Sequence, residues 1–207
     1  MRSKSKEWRD NLMIMLNKTE NIKKLPDTNP SGTHINVGCG KNIFNGFKNI
    51  DKYFKHPDIL PYDMYELPFE KNTIDTIYSS HSLEHLPIRQ AKTTLKNWHN
   101  TLKTNGMLYL AIPDLEEIMS ILVDPTIDEN LKEFWYMYTL FGYQADCSDL
   151  NNASRLDIPV DKGQFHTCGF TKNMIKRNLV SYGFNIETIF NYDGYATPSI
   201  WVEARKI

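Results

Sequence analysis

The stretch "HINVGCGKNIFNGFKNID", His34 to Asp51, decides how this chain folds. It opens as a short apolar strand, "HINV", that runs into a glycine turn, "GCG". It closes on a second short strand, "KNI", with an acid at its tip. In a nucleotide-binding α/β unit, a helix lies between two such parallel strands. Here only ten residues, Lys41 to Ile50, separate Gly40 from Asp51, and the last of them belong to the second strand. The chain has no room for that helix.

A glycine turn lets backbone approach a ligand closely. Gly38 and Gly40 fill the first two places of a G-x-G-x-x-G pattern, but position 43 is Ile. The dinucleotide fingerprint needs its third glycine and a helix N-terminus aimed at a pyrophosphate. The missing helix therefore argues against NAD. Asp51 sits where a carboxylate can accept both hydroxyls of a ribose. Asp63, in "LPYDMYELPF", follows a third strand, where a carboxylate can accept from an adenine amino group. Each aspartate alone reads as an ordinary turn residue. In this order and spacing, the turn and two acids read as a site for adenosine lacking phosphates.

Outward from this stretch the periodicity alternates between strand and helix. "DIL" at 58–60 and "TIDTIYSS" at 73–80 read as strands; "IRQAKTTLKNWHNTLK" at 88–103 carries Ile88, Ala91, Leu95, Trp98 and Leu102 at helical spacing. "TNG" reads as its stop, and "MLYLAIP" at 107–113 as a fifth strand, buried on both faces. "TKNMIKRNLVSYG" reads as a helix with a Thr171 cap and a Gly183 stop. "FNIETIFNY" and "SIWVEARKI" follow as two strands with little between them, which pair most simply as an antiparallel hairpin. The expected fold is α/β: a Rossmann-like, seven-stranded, mostly parallel sheet with an antiparallel C-terminal hairpin and a helical insert after the fifth strand.

One domain divides into four parts. Residues 1–30 hold an amphipathic helix over 6–23, stopped by "LPDTNPSG"; residues 31–113 form the cofactor-binding core; 114–169 are a substrate-cap insert; 170–207 supply the last helix and strands. The insert contains "DENLKEFWYMYTLFG", an aromatic-rich helical pattern. Such a stripe is most often core. Its place after the fifth strand is also where open α/β sheets bind ligands.

Composition narrows the classes. The 207 residues carry a formal net charge of -1, so no broad positive surface advertises nucleic acid. No stretch is long enough to span a membrane. Cys39, Cys147 and Cys168 are scattered without a C-x-x-C pair, which fits a reducing cytoplasm.

"INVGCGKN…NGFKNID…DMYELPFEKNTIDTIYSSHSLEHL…LKTNGMLYLAIPDL" resembles the class I S-adenosylmethionine-dependent methyltransferases. More narrowly, it resembles a bacterial branch found in polysaccharide and glycoconjugate gene clusters, which reads Gly-Trp-x-Asn-x-Asp where this chain has "GFKNID". The branch has a similarly short connection there. The resemblance implies S-adenosylmethionine as methyl donor and S-adenosylhomocysteine as product. It implies that Gly38, Cys39 and Gly40 line the methionine part, that Asp51 holds the ribose, and that Asp63 with the Met64 backbone holds the adenine. Ser80 or His81 then faces the cofactor. Asn36 stands where the wider superfamily usually has an acid. The acceptor it implies is a small molecule or glycan, methylated on a sugar hydroxyl. The alternatives are another small molecule, an RNA end, or a non-catalytic cofactor-binding subunit.

"HSLEHL" adds His81, Glu84 and His85 after the fourth strand. On a helix, positions i, i+3 and i+4 share one face, and His with carboxylate at that spacing can ligate a divalent metal. His166, in "GQFHTCGF", could close the set; some metal-assisted RNA 2′-O-methyltransferases are similar, with an acid where this chain has His81. A bare histidine, His85 or His166, can instead serve as general base. Glu84 and His85 can equally be a local pair and a satisfied histidine. Tyr143 and Gln144, in "FGYQ", are candidates to orient a polyol acceptor.

Overall fold

The computed structural model describes residues 31–133, 137–142, 165–192 and 197–207. The expected N-terminal helix over 6–23 lies outside them. Seven strands form one sheet: β1 (His34–Val37), β2 (Phe47–Ile50), β3 (Ile59–Leu60), β4 (Ile74–Ser80), β5 (Leu102–Pro113), β6 (Phe184–Tyr192) and β7 (Ser199–Lys206). Their order is β3-β2-β1-β4-β5-β7-β6. The first five run parallel, and β7 runs against them, pairing antiparallel with β5 on one side and with β6 on the other. The expected sheet is the one found.

Strand periodicity sorts the side chains onto two faces. Ile35 and Val37 of β1 share a face with Ile77, Leu108, Leu110, Ile112, Ile200 and Val202, all fully buried. Two helices cover this face: α1 (Ile88–Thr101), through Ala91, Leu95 and Trp98, and α5 (Lys172–Ser181), through Ile175 and Leu179. Helical spacing of large apolar residues explains both. Ile88, expected on the core face, is 36% exposed because it starts the helix beyond the sheet's cover.

The other face explains the missing helix. Between β1 and β2 the described chain makes only turns. Phe44 from this connection packs with Tyr78, Ala111, Tyr192 and Trp201 where a helix would otherwise lie. Two asparagines hold it there. Asn49 of β2 accepts a hydrogen bond from the Phe44 N–H through Oδ1 (2.9 Å) and donates back to the Phe44 carbonyl (3.1 Å). Asn36 of β1 donates to the Asn42 carbonyl (2.8 Å) and to Asn49 Oδ1 (3.0 Å). The amides thus satisfy loop backbone that a helix would have satisfied internally. Asn36 is a loop anchor here.

Three expectations about element limits shift. The first helix ends at Thr101, and "TNG" lies inside the longer β5 as a bulge. The register jumps from Ile74↔Leu102 to Thr76↔Met107, with Asn105 at φ 66° absorbing the extra residues. The insert begins with a helix that the aromatic pattern does not announce, α2 (Leu115–Val123). Asp114 caps it by accepting from the N–H groups of Glu116 and Glu117, and "DLEE" is its signal in the sequence. Of the expected aromatic helix, the described residues show α3 (Glu129–Leu131) and α4 (Met137–Phe141), and residues 134–136 lie outside the described set.

Helix α5 starts and stops at its expected limits. The Thr171 hydroxyl accepts from the Met174 N–H at 3.2 Å, and Gly183 follows at φ 95°. A Cβ on Gly183 would stand 2.9 Å from His99 Nε2. Gly183→Ala should therefore cost about 1–3 kcal/mol from left-handed backbone strain and this contact. The expected readout is a lower urea midpoint with an unchanged slope.

Candidate functional site

The carboxyl ends of β1, β2 and β4 lie level, since Val37 pairs with both Ile50 and Ser79. This register brings the glycine turn, Asp51 and Ser80 to one edge. The N–H groups of Gly38 and Cys39 both donate to the Ile50 carbonyl, at 2.9 and 3.1 Å, so the turn stays tied to β2. Gly38 has φ 66°, and a Cβ there would sit 2.4 Å from Ser82 Cβ. Gly40 has φ 50° and open space where a Cβ would point. Close packing on one side and space on the other form a cradle suited to a bound chain.

Asp51 is already engaged. Oδ2 accepts from the Gly40 N–H at 2.8 Å, and Oδ1 accepts from the Tyr53 and Phe54 N–H groups, each at 2.8 Å. It buckles the glycine turn to the loop after β2. Cys39 is buried, and burial, then the nearby Asp51 charge, pushes its thiol up to about 12. It is a small residue of the turn, not a thiolate.

Asp63 stands in the loop after β3, partly exposed, with Lys52 Nζ at 2.8 Å and the Tyr65 N–H at 3.1 Å. Burial works to raise its pKa, but the hydrogen bonds from Lys52 and Tyr65 hold it below the usual carboxylate value. The loop is pinned from behind. Trp98 Nε1 donates to the Met64 carbonyl (3.0 Å), and Asn97 donates to the Tyr65 carbonyl (3.2 Å). The first of these contacts commits the Met64 carbonyl to α1. Ser80 lines a small pocket of about 30 Å³ beneath the turn, with Asn36, Gly38 and Phe44.

The histidines assemble differently from expectation. "HSLEHL" is not a helical face. His81 has φ 48°, and Leu83–His85 is a single 3₁₀ turn. The set that comes together is Glu84, His85 and His166, each with one donor atom within 4.8 Å of the others. His81 stands beside this set: its Nδ1 is 3.4 Å from Glu84 Oε1, and its Nε2 meets Ser199 Oγ at 3.1 Å. His166 arrives because the chain after the insert is laced to the turn. The Thr167 and Cys168 N–H groups donate to the Glu84 carbonyl (2.8 and 3.2 Å), and Thr167 Oγ1 donates to the His85 carbonyl (3.1 Å).

The ring of each cluster histidine is oriented by backbone. His85 Nδ1 meets the Phe165 carbonyl at 3.1 Å, and His166 Nδ1 meets the Thr139 carbonyl at 2.7 Å. A carbonyl only accepts, so Nδ1 carries the proton and the neutral ring keeps its lone pair on Nε2. His166 Nε2 lies 3.8 Å from Glu84 Oε1, and the two rings meet edge-on with centroids 4.9 Å apart. Burial holds His166 below its ordinary pKa despite the opposing pull of Glu84, which favours the neutral, lone-pair-bearing form near pH 7. Glu84 is 1% exposed. Burial resists its ionisation, but His81 first, then His85 and His166, hold its pKa down at about 2.

His166 also lines a cleft of about 220 Å³ with Leu115, Ile118, Phe141 and Cys168. The cleft is bounded by α2 and α4, both within the insert. Tyr143 and Gln144 lie outside the described residues. Sequence reasoning missed Asn49, whose signal is its place in "GFKNID", and Thr139, which contributes only a carbonyl.

Residues 45–110 match a family described as a methyltransferase domain. The match covers Asp51, Asp63, His81, Glu84 and His85, but not the glycine turn. No curated protein matches the chain in sequence. Solved structures share the fold. A SAM-dependent methyltransferase from Methanosarcina mazei aligns with TM-score 0.60 at 12% identity, covering 87% of this chain and 94% of its own. An S-adenosylmethionine-dependent methyltransferase from Mesorhizobium loti aligns with TM-score 0.55 at 16% identity, covering 95% and 96%. The Synechocystis magnesium protoporphyrin IX methyltransferase with bound SAH aligns with TM-score 0.53 at 12% identity, covering 96% and 83%. No described helix is long and apolar enough to cross a membrane. Residues 45–110 thus resemble a methyltransferase domain, and the chain as a whole shares the fold of these solved structures.

Proposed function

We propose that this chain transfers a methyl group from S-adenosylmethionine to an oxygen, with a sugar hydroxyl in glycan biosynthesis as the acceptor. The observation that carries the reading is the level edge of β1 and β2, where an open glycine cradle stands beside Asp51 with no phosphate-caging helix between them. Asp63, on the loop after β3, supplies a carboxylate for the adenine amino group. A nucleoside joined to an amino acid, without phosphates, suits such a row.

Oxygen as acceptor follows from the histidines. The donor supplies an electrophilic methyl on a sulfonium. A hydroxyl attacking it must lose a proton, and a neutral imidazole with its lone pair on Nε2 can take that proton. The Nδ1 contacts of His85 and His166 leave Nε2 for that role, and His166 lines the cleft, which supports the reading. The sugar assignment rests on the resemblance of "GFKNID" and its surroundings to the glycan-cluster branch.

Calorimetry tests the donor. The expected result is binding of S-adenosylmethionine and S-adenosylhomocysteine, with no heat from NAD. Tight NAD binding with none from the sulfur nucleosides would overturn the reading. A screen with methyl-labelled donor against nucleotide sugars, oligosaccharides and RNA oligomers tests the acceptor. Label on RNA alone would replace the sugar, and binding without label on any class would indicate a non-catalytic subunit.

A further inference from the structure

We propose that Glu84, His85 and His166 bind one divalent transition-metal ion of the zinc type at the mouth of the acceptor cleft. The proposal rests on the methyltransferase reading only for the role it gives the ion.

Three observations point to a cation rather than to a closed hydrogen-bond network. First, both carboxylate oxygens of Glu84 are buried and have no hydrogen-bond partner. The nearest nitrogens, His81 Nδ1 at 3.4 Å and His166 Nε2 at 3.8 Å from Oε1, stand at ion-pair distance, longer than an ordinary hydrogen bond. A buried carboxylate in this condition needs a cation or a set of donors. Second, both histidines already spend Nδ1–H on backbone carbonyls. That is the outer contact that fixes the tautomer of a metal-ligating histidine and leaves Nε2 for the metal. Third, the donor atoms lie within 4.8 Å of one another. Donors bound at about 2.0–2.2 Å in a tetrahedron sit roughly 3.4 Å apart, so a modest inward closure completes the site.

Donor chemistry narrows the ion. Two imidazoles and one carboxylate suit zinc and its neighbours; magnesium and calcium prefer oxygen-only shells. Three protein ligands leave a fourth position open, as catalytic zinc sites do. His166 is the member of the set that lines the cleft, so an acceptor there would stand beside the ion. His81 does not belong to the donor set. It bridges Glu84 and Ser199 and acts as a positioning residue. In this arrangement the ion would hold the acceptor oxygen and lower its pKa. The two imidazoles, with their Nε2 lone pairs on the ion, would be its ligands; the general-base route then belongs to the metal-free protein alone. The proton lost by the hydroxyl goes to solvent, the O–C bond forms as the C–S bond breaks, and S-adenosylhomocysteine leaves with the electron pair of that bond.

The test uses the untagged full chain, stripped with chelator and titrated with cobalt(II), then with zinc as competitor. The expected result is one equivalent of cobalt bound with visible ligand-field absorption, which zinc abolishes. His166→Ala and Glu84→Gln should each weaken cobalt binding by about 100-fold or more, as loss of a ligand does. His56→Ala, at a partly exposed histidine paired with Asp58 outside the cluster, should keep it. Circular dichroism separates loss of binding from loss of fold, and His166→Ala remains informative if Glu84→Gln does not fold. Wild-type chain that gives no cobalt absorption and no heat with zinc overturns the proposal. So does a folded His166→Ala that binds as wild type does. Donor binding is measured on the same stripped protein. If it binds S-adenosylmethionine but no metal, this inference fails and the function stands. If it binds metal but not the donor, the metal site stands and the methyltransferase reading fails.

Discussion

Asp51→Ala should lower the affinity for S-adenosylmethionine by at least about tenfold, equivalent to 1.4 kcal/mol. A charge-assisted hydrogen bond to a ribose hydroxyl contributes about 1.5–3 kcal/mol. The structure adds a second consequence. Asp51 accepts three backbone N–H groups, from Gly40, Tyr53 and Phe54. A carboxylate offers about four acceptor positions, so one remains, and a ribose that presents both hydroxyls must share or displace one of these bonds. The alanine variant therefore loosens the glycine turn as well as removing the ribose contact. Asp51→Asn separates the two effects. It keeps one oxygen for the Tyr53 and Phe54 N–H groups and gives up the charge. Its unfolding midpoint should stay closer to wild type than that of Asp51→Ala, and its cofactor affinity should still fall. Calorimetry and urea unfolding on the pair give both quantities. Unchanged affinity in a folded Asp51→Ala would place the ribose elsewhere.

The double use of Asp51 shows which parts of the site can be read from sequence. The seven strands, the antiparallel hairpin and the Thr171 and Gly183 limits of the last helix are legible because each rests on local chemistry: period-2 burial, a cap, a positive φ. The shortness of the first crossover is legible by counting residues. What fills the gap is not, because Asn36 and Asn49 act through backbone carbonyls and N–H groups that only the folded loop presents. The histidine cluster divides in the same way. Glu84 and His85 are neighbours in "HSLEHL", and His166 stands out by its surroundings. The expectation that His81 would join them assumes a helix. A 3₁₀ turn forms instead, preceded by a left-handed His81, and the i, i+3, i+4 relation loses its meaning. The α2 helix is hard to read because aromatic density further along the insert draws the helical assignment away from a well-capped "DLEE".

His85→Ala and His166→Ala should each lower turnover by about 10²–10⁴-fold, the usual range for a lost general base. Affinity for S-adenosylmethionine should stay within about threefold of wild type, a change under 1 kcal/mol. The split follows from position. The expected cofactor contacts lie at the glycine turn, Asp51 and Asp63. The two rings lie beyond Ser82, whose side chain packs against Gly38, and His166 opens on the cleft instead. The two histidines reach this place by different routes, one from the turn after β4 and one from the stretch of chain that closes the insert. Thr167 and Cys168 fasten that stretch to the Glu84 carbonyl through backbone N–H groups, which neither substitution removes. Loss of a ring therefore leaves the lacing in place, and circular dichroism of both variants should match wild type. A merely structural histidine would instead lower the unfolding midpoint and leave turnover of the folded fraction intact. Turnover against the acceptor found by label transfer, set beside calorimetry and unfolding, distinguishes the two. Full activity in both folded variants would remove these histidines from the reaction and leave the methyl acceptor's proton to another group.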